Sequence, residues 1–152
     1  MNSAPLDVLV IGAGPAGSAA ARSLALAGLR VQMMDAQPIG RDKVCGDGLI
    51  PDAHQALARL GLLDAVMARA QRAQAVGCVG PRGGRIDVPG ALAVLPRQQL
   101  DALMAQAALD AGVQFLQARF EEPWLDAQGC VIGARVRQAD QALALRARWT
   151  LL

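Results

Sequence analysis

The chain contains no tyrosine, and its 152 residues include only two tryptophans and two phenylalanines. Its core must therefore be built from Ala, Leu and Val. Lysine is almost absent: Lys43 is the sole lysine among fifteen basic residues. Charge of one sign is also lacking, since the formal net charge is +2 and the basic residues are scattered. That distribution excludes a dedicated nucleic-acid surface. Cysteine pairs are missing too. Cys45, Cys78 and Cys130 are odd in number and widely spaced, with no C-x-x-C, which fits neither a disulfide framework nor a zinc site. A reducing cytoplasm is the expected compartment, peripheral to a membrane at most. Cys78 and Cys130 fall in strand-like runs and are expected in the core. The single histidine, His54, has no carboxylate at triad spacing and reads as structural. No run of about 18 uninterrupted apolar residues exists, so no span is expected. Met1–Pro5 carries no charged region ahead of an apolar run, which argues against a signal peptide.

What is present is apolar surface, 53% of the residues, enough for the core of one domain. Residues 7–11, apolar on consecutive positions after Asp7, predict a strand buried on both faces of a parallel sheet. Ala16, Ala20, Leu24 and Ala27 recur at helical spacing over 15–27, with Pro15 in the first turn and Gly28 as the stop. Arg30 to Met34 predicts a second strand ending on Asp35. A right-handed crossover should lay it parallel to the first.

Helices are expected over 51–60, 62–70 and 97–111. Two short β runs, 75–79 and 85–88, flank a Pro81-Arg82-Gly83-Gly84 turn, and 113–116 should be another strand. The runs 119–125, 131–137 and 142–151 suggest an antiparallel meander. The expected architecture is a single three-layer α/β domain, Rossmann-like, with a parallel sheet and the meander against one side. Ending on an apolar strand, the chain reads as the first portion of a longer one.

The chemistry is carried by Gly12-Ala13-Gly14-Pro15-Ala16-Gly17 between the first strand and its helix. The first glycine permits a tight turn, the second lets a pyrophosphate approach the backbone, and the third lets helix and strand pack closely. The helix N-terminus offers unpaired N–H groups and the positive end of its dipole. Asp35, at the tip of the second strand, is placed to accept both ribose hydroxyls and to repel a 2′-phosphate. The motif serves NAD and FAD alike.

Further motifs narrow the reading. Together with the glycine turn, Arg41-Asp42-Lys43-Val44-Cys45-Gly46-Asp47-Gly48 and Leu95-Pro96-Arg97 followed by Leu100-Asp101 resemble the FAD-dependent geranylgeranyl reductase family, which shares the p-hydroxybenzoate hydroxylase fold. The resemblance runs along essentially the whole chain but only the first part of a full-length member. It implies that Gly12, Gly14 and Gly17, with Pro15 and Ala16 of the same turn, hold the FAD pyrophosphate. It implies ribose binding by Asp35, where most members have glutamate, and contact of Arg97 with FAD. A cation at a helix start opposes the dipole, which favours such a ligand role. Arg41 is a candidate for the pyrophosphate or ribitol, or is simply solvated. Cys45 and Gly46 lie on the loop near the flavin ring in family structures, as contact residues or, for Cys45, facing substrate.

The implied activity is hydride transfer from NAD(P)H through FAD to an isoprenoid double bond, with transient membrane-surface contact, no stable partner and no metal. The later Asp-Gly and Gly-Asp cofactor motifs and most of the substrate-binding sheet of the family have no counterpart here. The 152 residues alone are therefore expected to bind FAD weakly and to be inactive. Two rival readings are a flavin-dependent monooxygenase or halogenase of the same fold, and a non-catalytic dinucleotide-binding module. A halogenase calls for a Trp-x-Trp-x-Ile segment and a catalytic lysine, and Lys43, alone in a loop, matches neither.

Overall fold

The computed structural model describes residues 6–152, so the reading made on Met1–Pro5 lies outside the described residues. Strand β1 (Leu6–Ile11), helix α1 (Pro15–Leu26) and strand β2 (Val31–Asp35) form the expected βαβ unit, with Val8 opposite Val31 and Ile11 opposite Met34 in parallel register. Gly28, at φ +86°, turns the chain out of α1 in a left-handed conformation that suits glycine. At the far end of the pair, the Asp7 carboxylate accepts the Arg30 N–H at 2.9 Å. That bond, then the Arg30 side chain, holds the Asp7 carboxyl below its ordinary range.

The chain continues through β3 (Gly48–Leu49), α2 (Pro51–Arg59), α3 (Leu63–Met67), β4 (Gln71–Val79), β5 (Arg85–Val94) and α4 (Arg97–Asp110). It ends with β6 (Gln114–Gln117), β7 (Arg119–Leu125), β8 (Val131–Gln138) and β9 (Gln141–Leu151). It divides into two compact units, Met1–Arg41 with Asp101–Leu152, and Asp42–Leu100.

The first unit holds a six-stranded sheet in the order β6-β2-β1-β9-β8-β7. The meander β7-β8-β9 is antiparallel, as expected, and it joins the parallel strands through one long strand. Up to Arg146, β9 pairs with β8; from Ala147 it runs parallel to β1. Because successive side chains of a strand point to opposite faces, β1 feeds two cores. Val8 and Val10 meet Ala21 of α1 and Ala105 and Ala108 of α4, while Leu9 meets Ala134, Val136 and Ala147 of the meander. The layers are thus helices, parallel sheet and meander. Alanine at the contacts lets them approach in a chain short of aromatics. Gly133 (φ +150°) is obligatory in this arrangement, since a Cβ there would run into the Leu145 carbonyl.

The second unit holds a three-stranded sheet, β3-β5-β4, with both pairs antiparallel. Its hairpin is longer than the two short runs expected from the sequence. The register shifts between Ala73 and Ala75, and Pro89, which has no N–H to donate, sits at that irregularity. The irregularity lets a strand continue where Pro89-Gly90 argues for a break. Cys78 lies exposed on β4, and Cys130 lies exposed in the turn before β8. Neither packs in the core, contrary to expectation, because the first faces solvent on an open hairpin and the second precedes its strand. Nε2 of His54, in α2, is buried without a hydrogen-bond partner.

Candidate functional site

Three glycines shape the turn after β1 for three reasons. Gly12 (φ +110°) donates its N–H to the Met34 carbonyl at 2.7 Å, closing the turn in a conformation that side chains disfavour. Gly17 cannot carry a Cβ, which would collide with the Gly12 carbonyl oxygen. Gly14 has no atom within 4 Å of where a Cβ would stand, so its backbone faces open space. Helix α1 starts immediately afterwards, with Pro15 in its first turn followed by Ala16. It has no side-chain cap and no acidic residue in the first turn. Its leading N–H groups and dipole are therefore directed at whatever anion occupies the turn.

Asp35 reaches back to this turn. One carboxylate oxygen accepts the Ala13 N–H at 3.0 Å and the other accepts the Gln37 N–H at 2.9 Å. The Ala13 carbonyl in turn accepts the Ser18 hydroxyl at 3.1 Å. A cleft opens beside these groups, lined by Ala13, Gly14, Asp35, Gly40, Arg41 and Asp101 among others. The structure thus brings the glycine turn, Asp35 and Arg41 together. Each Asp35 oxygen keeps acceptor capacity, because a carboxylate has about four lone-pair sites and two are used.

The second unit gathers Cys45, Gly46 and Arg97. The backbone N–H of Arg97, the first residue of α4, donates to the Asp47 carboxylate at 3.0 Å, and the Asp47 carbonyl accepts the Leu95 N–H at 3.0 Å. These bonds hold Asp47 at φ +56°, uncommon for a residue with a side chain. Nη1 of Arg97 lies 3.7 Å from Cys45 Sγ as a donor. The Asp47 N–H, and after it the Arg97 guanidinium, lower the Cys45 thiol from its ordinary range. Cys45 is exposed, so this thiol is both accessible and disposed toward thiolate.

Three participants escaped the sequence reading. Ser18 is, by sequence, one more small residue in an alanine-rich helix, and Asp47 and Asp101 stand only as members of the motifs. Among the described residues, no group of three or more His, Cys, Asp or Glu is placed to hold a metal ion.

A family model described as an FAD binding domain matches residues 5–151. The chain belongs to this FAD-binding domain family. The chain is 38% identical over 117 residues to a menaquinone reductase of Mycolicibacterium smegmatis, covering 72% of this chain and 28% of that protein. It is 34% identical over 144 residues to digeranylgeranylglycerophospholipid reductase 2 of Methanopyrus kandleri, covering 93% and 35%. Among solved structures, a geranylgeranyl bacteriochlorophyll reductase-like protein of Thermoplasma acidophilum superposes with a TM-score of 0.85 at 28% identity, over 96% of this chain and 38% of that one. A flavin-dependent brominase, at 23% identity and a TM-score of 0.84 over 97% and 37%, shares the fold alone.

The chain thus spans between about a quarter and two-fifths of these proteins' length. The resemblance to geranylgeranyl reductases and the expectation of FAD as cofactor are borne out. The residues of the FAD-binding domain also suit the group. The open backbone at Gly14 and the uncapped start of α1 provide room and donors for a diphosphate.

Proposed function

We propose that the protein to which this chain belongs is an FAD-dependent reductase that saturates carbon–carbon double bonds in the isoprenoid chain of a lipid, using NAD(P)H. The observation that carries this reading is the Arg41–Gly48 loop, whose Cys45 and Asp47 engage Arg97, in a chain 34–38% identical to reductases of prenylated lipids. Menaquinone and digeranylgeranyl phospholipids both carry isoprenoid chains.

When bound, FAD supplies hydride transfer between a reduced nicotinamide and the double bond. In this reading Gly12, Gly14, Pro15, Ala16 and Gly17 receive the pyrophosphate, and Asp35 accepts the adenosine ribose hydroxyls. Arg41 offsets phosphate charge. Arg97 adds a cation beside the cofactor, with its backbone N–H held by Asp47 and its guanidinium donating to Cys45. Cys45 and Gly46 stand on the loop facing flavin and substrate, with Cys45 as a contact residue. The long apolar substrate brings the protein to a membrane surface in passing. No helix among the described residues is long and apolar enough to cross a membrane.

The test has two arms. Titration of the purified chain with FAD is expected to quench flavin fluorescence, with weaker or no response to NAD and NADP. A protein of the relatives' full length, given NAD(P)H and FAD, is expected to add two hydrogens per reduced bond to a prenylated quinone or a geranylgeranyl lipid, read by mass spectrometry. The 152-residue chain alone is expected to show no turnover. Oxygen-dependent hydroxylation or halogenation of an aromatic substrate by the long protein, with prenyl chains untouched, would overturn the assignment in favour of the monooxygenase or halogenase reading.

A further inference from the structure

We propose that Ser18 is a positioning residue for the diphosphate cradle, acting through the backbone of Ala13. This rests on the FAD-binding reading and adds a residue to it. Among the described residues, Ser18 is the buried polar side chain, 1% exposed, with its hydroxyl beside the Met33 sulfur. A buried hydroxyl costs free energy unless it is bonded, and alanine is the better helix former. Ala16, Ala19, Ala20 and Ala21 surround it in α1, so alanine would serve packing at least as well. What serine adds is a donor. Its hydroxyl has one hydrogen and two acceptors in reach, the Ala13 carbonyl at 3.1 Å and the Met33 sulfur at 3.7 Å, of which the carbonyl is the stronger.

Ala13 lies between two glycines, in a turn where side-chain sterics restrain the backbone least. Its two flanking peptide planes are each held by one bond. Asp35 takes the N–H of the Gly12–Ala13 peptide, and Ser18 takes the carbonyl of the Ala13–Gly14 peptide. In a planar trans peptide, C=O and N–H point in opposite directions. Holding the Ala13 carbonyl against the buried hydroxyl therefore aims the Gly14 N–H the other way, away from the interior. Gly14 is the residue with open space at its Cα and a place on the cleft wall. Ser18 and Asp35 thus clamp consecutive peptides and set the donor direction of the turn before any ligand arrives, which lowers the ordering cost of binding.

The experiment compares the wild-type chain with Ser18→Ala, Ser18→Cys and Ser23→Ala. Ser23 is the control: its hydroxyl donates to the Ala19 carbonyl at 2.9 Å on the exposed side of the same helix. Binding of FAD and of ADP is measured by titration, folding by thermal melting, and amide exchange of Ala13 and Gly14 by NMR without ligand. Ser18→Ala and Ser18→Cys are expected to weaken ADP and FAD about fivefold, the fold-change of one neutral hydrogen bond. They should also speed exchange at Ala13 and Gly14 while leaving the melting temperature near wild type. Ser23→Ala should change none of these. Wild-type affinity in Ser18→Ala, or a weakening matched by a large drop in melting temperature, would overturn the positioning role. A wild-type chain that binds neither ADP nor FAD would instead count against the FAD reading. The exchange rates would still decide whether the clamp exists.

Discussion

The two units of the chain use their strands in opposite ways. In the first, β1 is buried along its centre and sends alternate side chains into two separate cores. In the second, the β4–β5 hairpin is exposed along most of its length, with Val76, Cys78, Ile86 and Val88 sharing one solvent-facing side. A strand committed on both faces has no freedom in register, because a slip by one residue would exchange the two cores. A strand packed on neither face tolerates an irregularity, and the hairpin has one at Ala73–Ala75. The first unit should therefore respond sharply to substitution and the second weakly.

The largest effect is expected from Gly17→Ala. Its Cβ would meet a backbone oxygen that cannot step aside, so a cost of at least about 3 kcal/mol follows. Thermal melting should fall by roughly 6–12 °C, with loss of FAD binding. Next comes the direct contrast between the units. Leu9→Ala, at a fully buried position, should cost about 2–5 kcal/mol in denaturant unfolding. Val88→Ala, 51% exposed, should stay within about 0.5 kcal/mol. Equal costs for the two would break the comparison.

Gly14→Ala separates stability from binding inside the first unit. Nothing lies within 4 Å of the added methyl, so the melting temperature should hold while FAD titration shows an affinity loss of about tenfold or more. The smallest effect is on Cys45. The Asp47 N–H and Arg97 favour its thiolate, so alkylation should begin at lower pH than for an ordinary thiol. Arg97→Met should move that onset upward, as read by iodoacetamide labelling followed by peptide mass spectrometry.

The parts of this molecule visible in the sequence are those whose cause is local. The consecutive apolar residues of β1, Pro15 and Gly28 around α1, and the glycine turn each act within a few positions, and each appears where expected. The hairpin runs longer than the sequence suggests: Gln71, Arg72 and Gln74 are polar and Pro89-Gly90 resembles a break, whereas antiparallel pairing with β5 carries the strand through. Cys78 shows a related limit, since a strand-like run says nothing about whether anything covers it, while Cys130 falls just before its strand and not in it. Of the site, the glycines were legible because their role is steric and local. The Asp35–Ala13 bond, 22 residues apart, and the Asp47–Arg97 bond, 50 apart, were not, since no periodicity encodes a partner at that distance.

Strand β9, shared between the meander and the parallel sheet, also constrains how the chain acquires its fold. Leu6 pairs with Ala147, so a ladder of the central sheet closes over nearly the whole sequence. Contacts that distant in sequence slow folding, because the entropy of closing the loop is lost before the pairing is gained. During synthesis β1, α1 and β2 emerge first and wait, with one edge of β1 unpaired, until β9 leaves the ribosome. An unpaired edge of that kind is a template for pairing with another chain. Pauses in translation before residue 141 would lengthen that interval and lower the yield of folded protein, with the sequence unchanged.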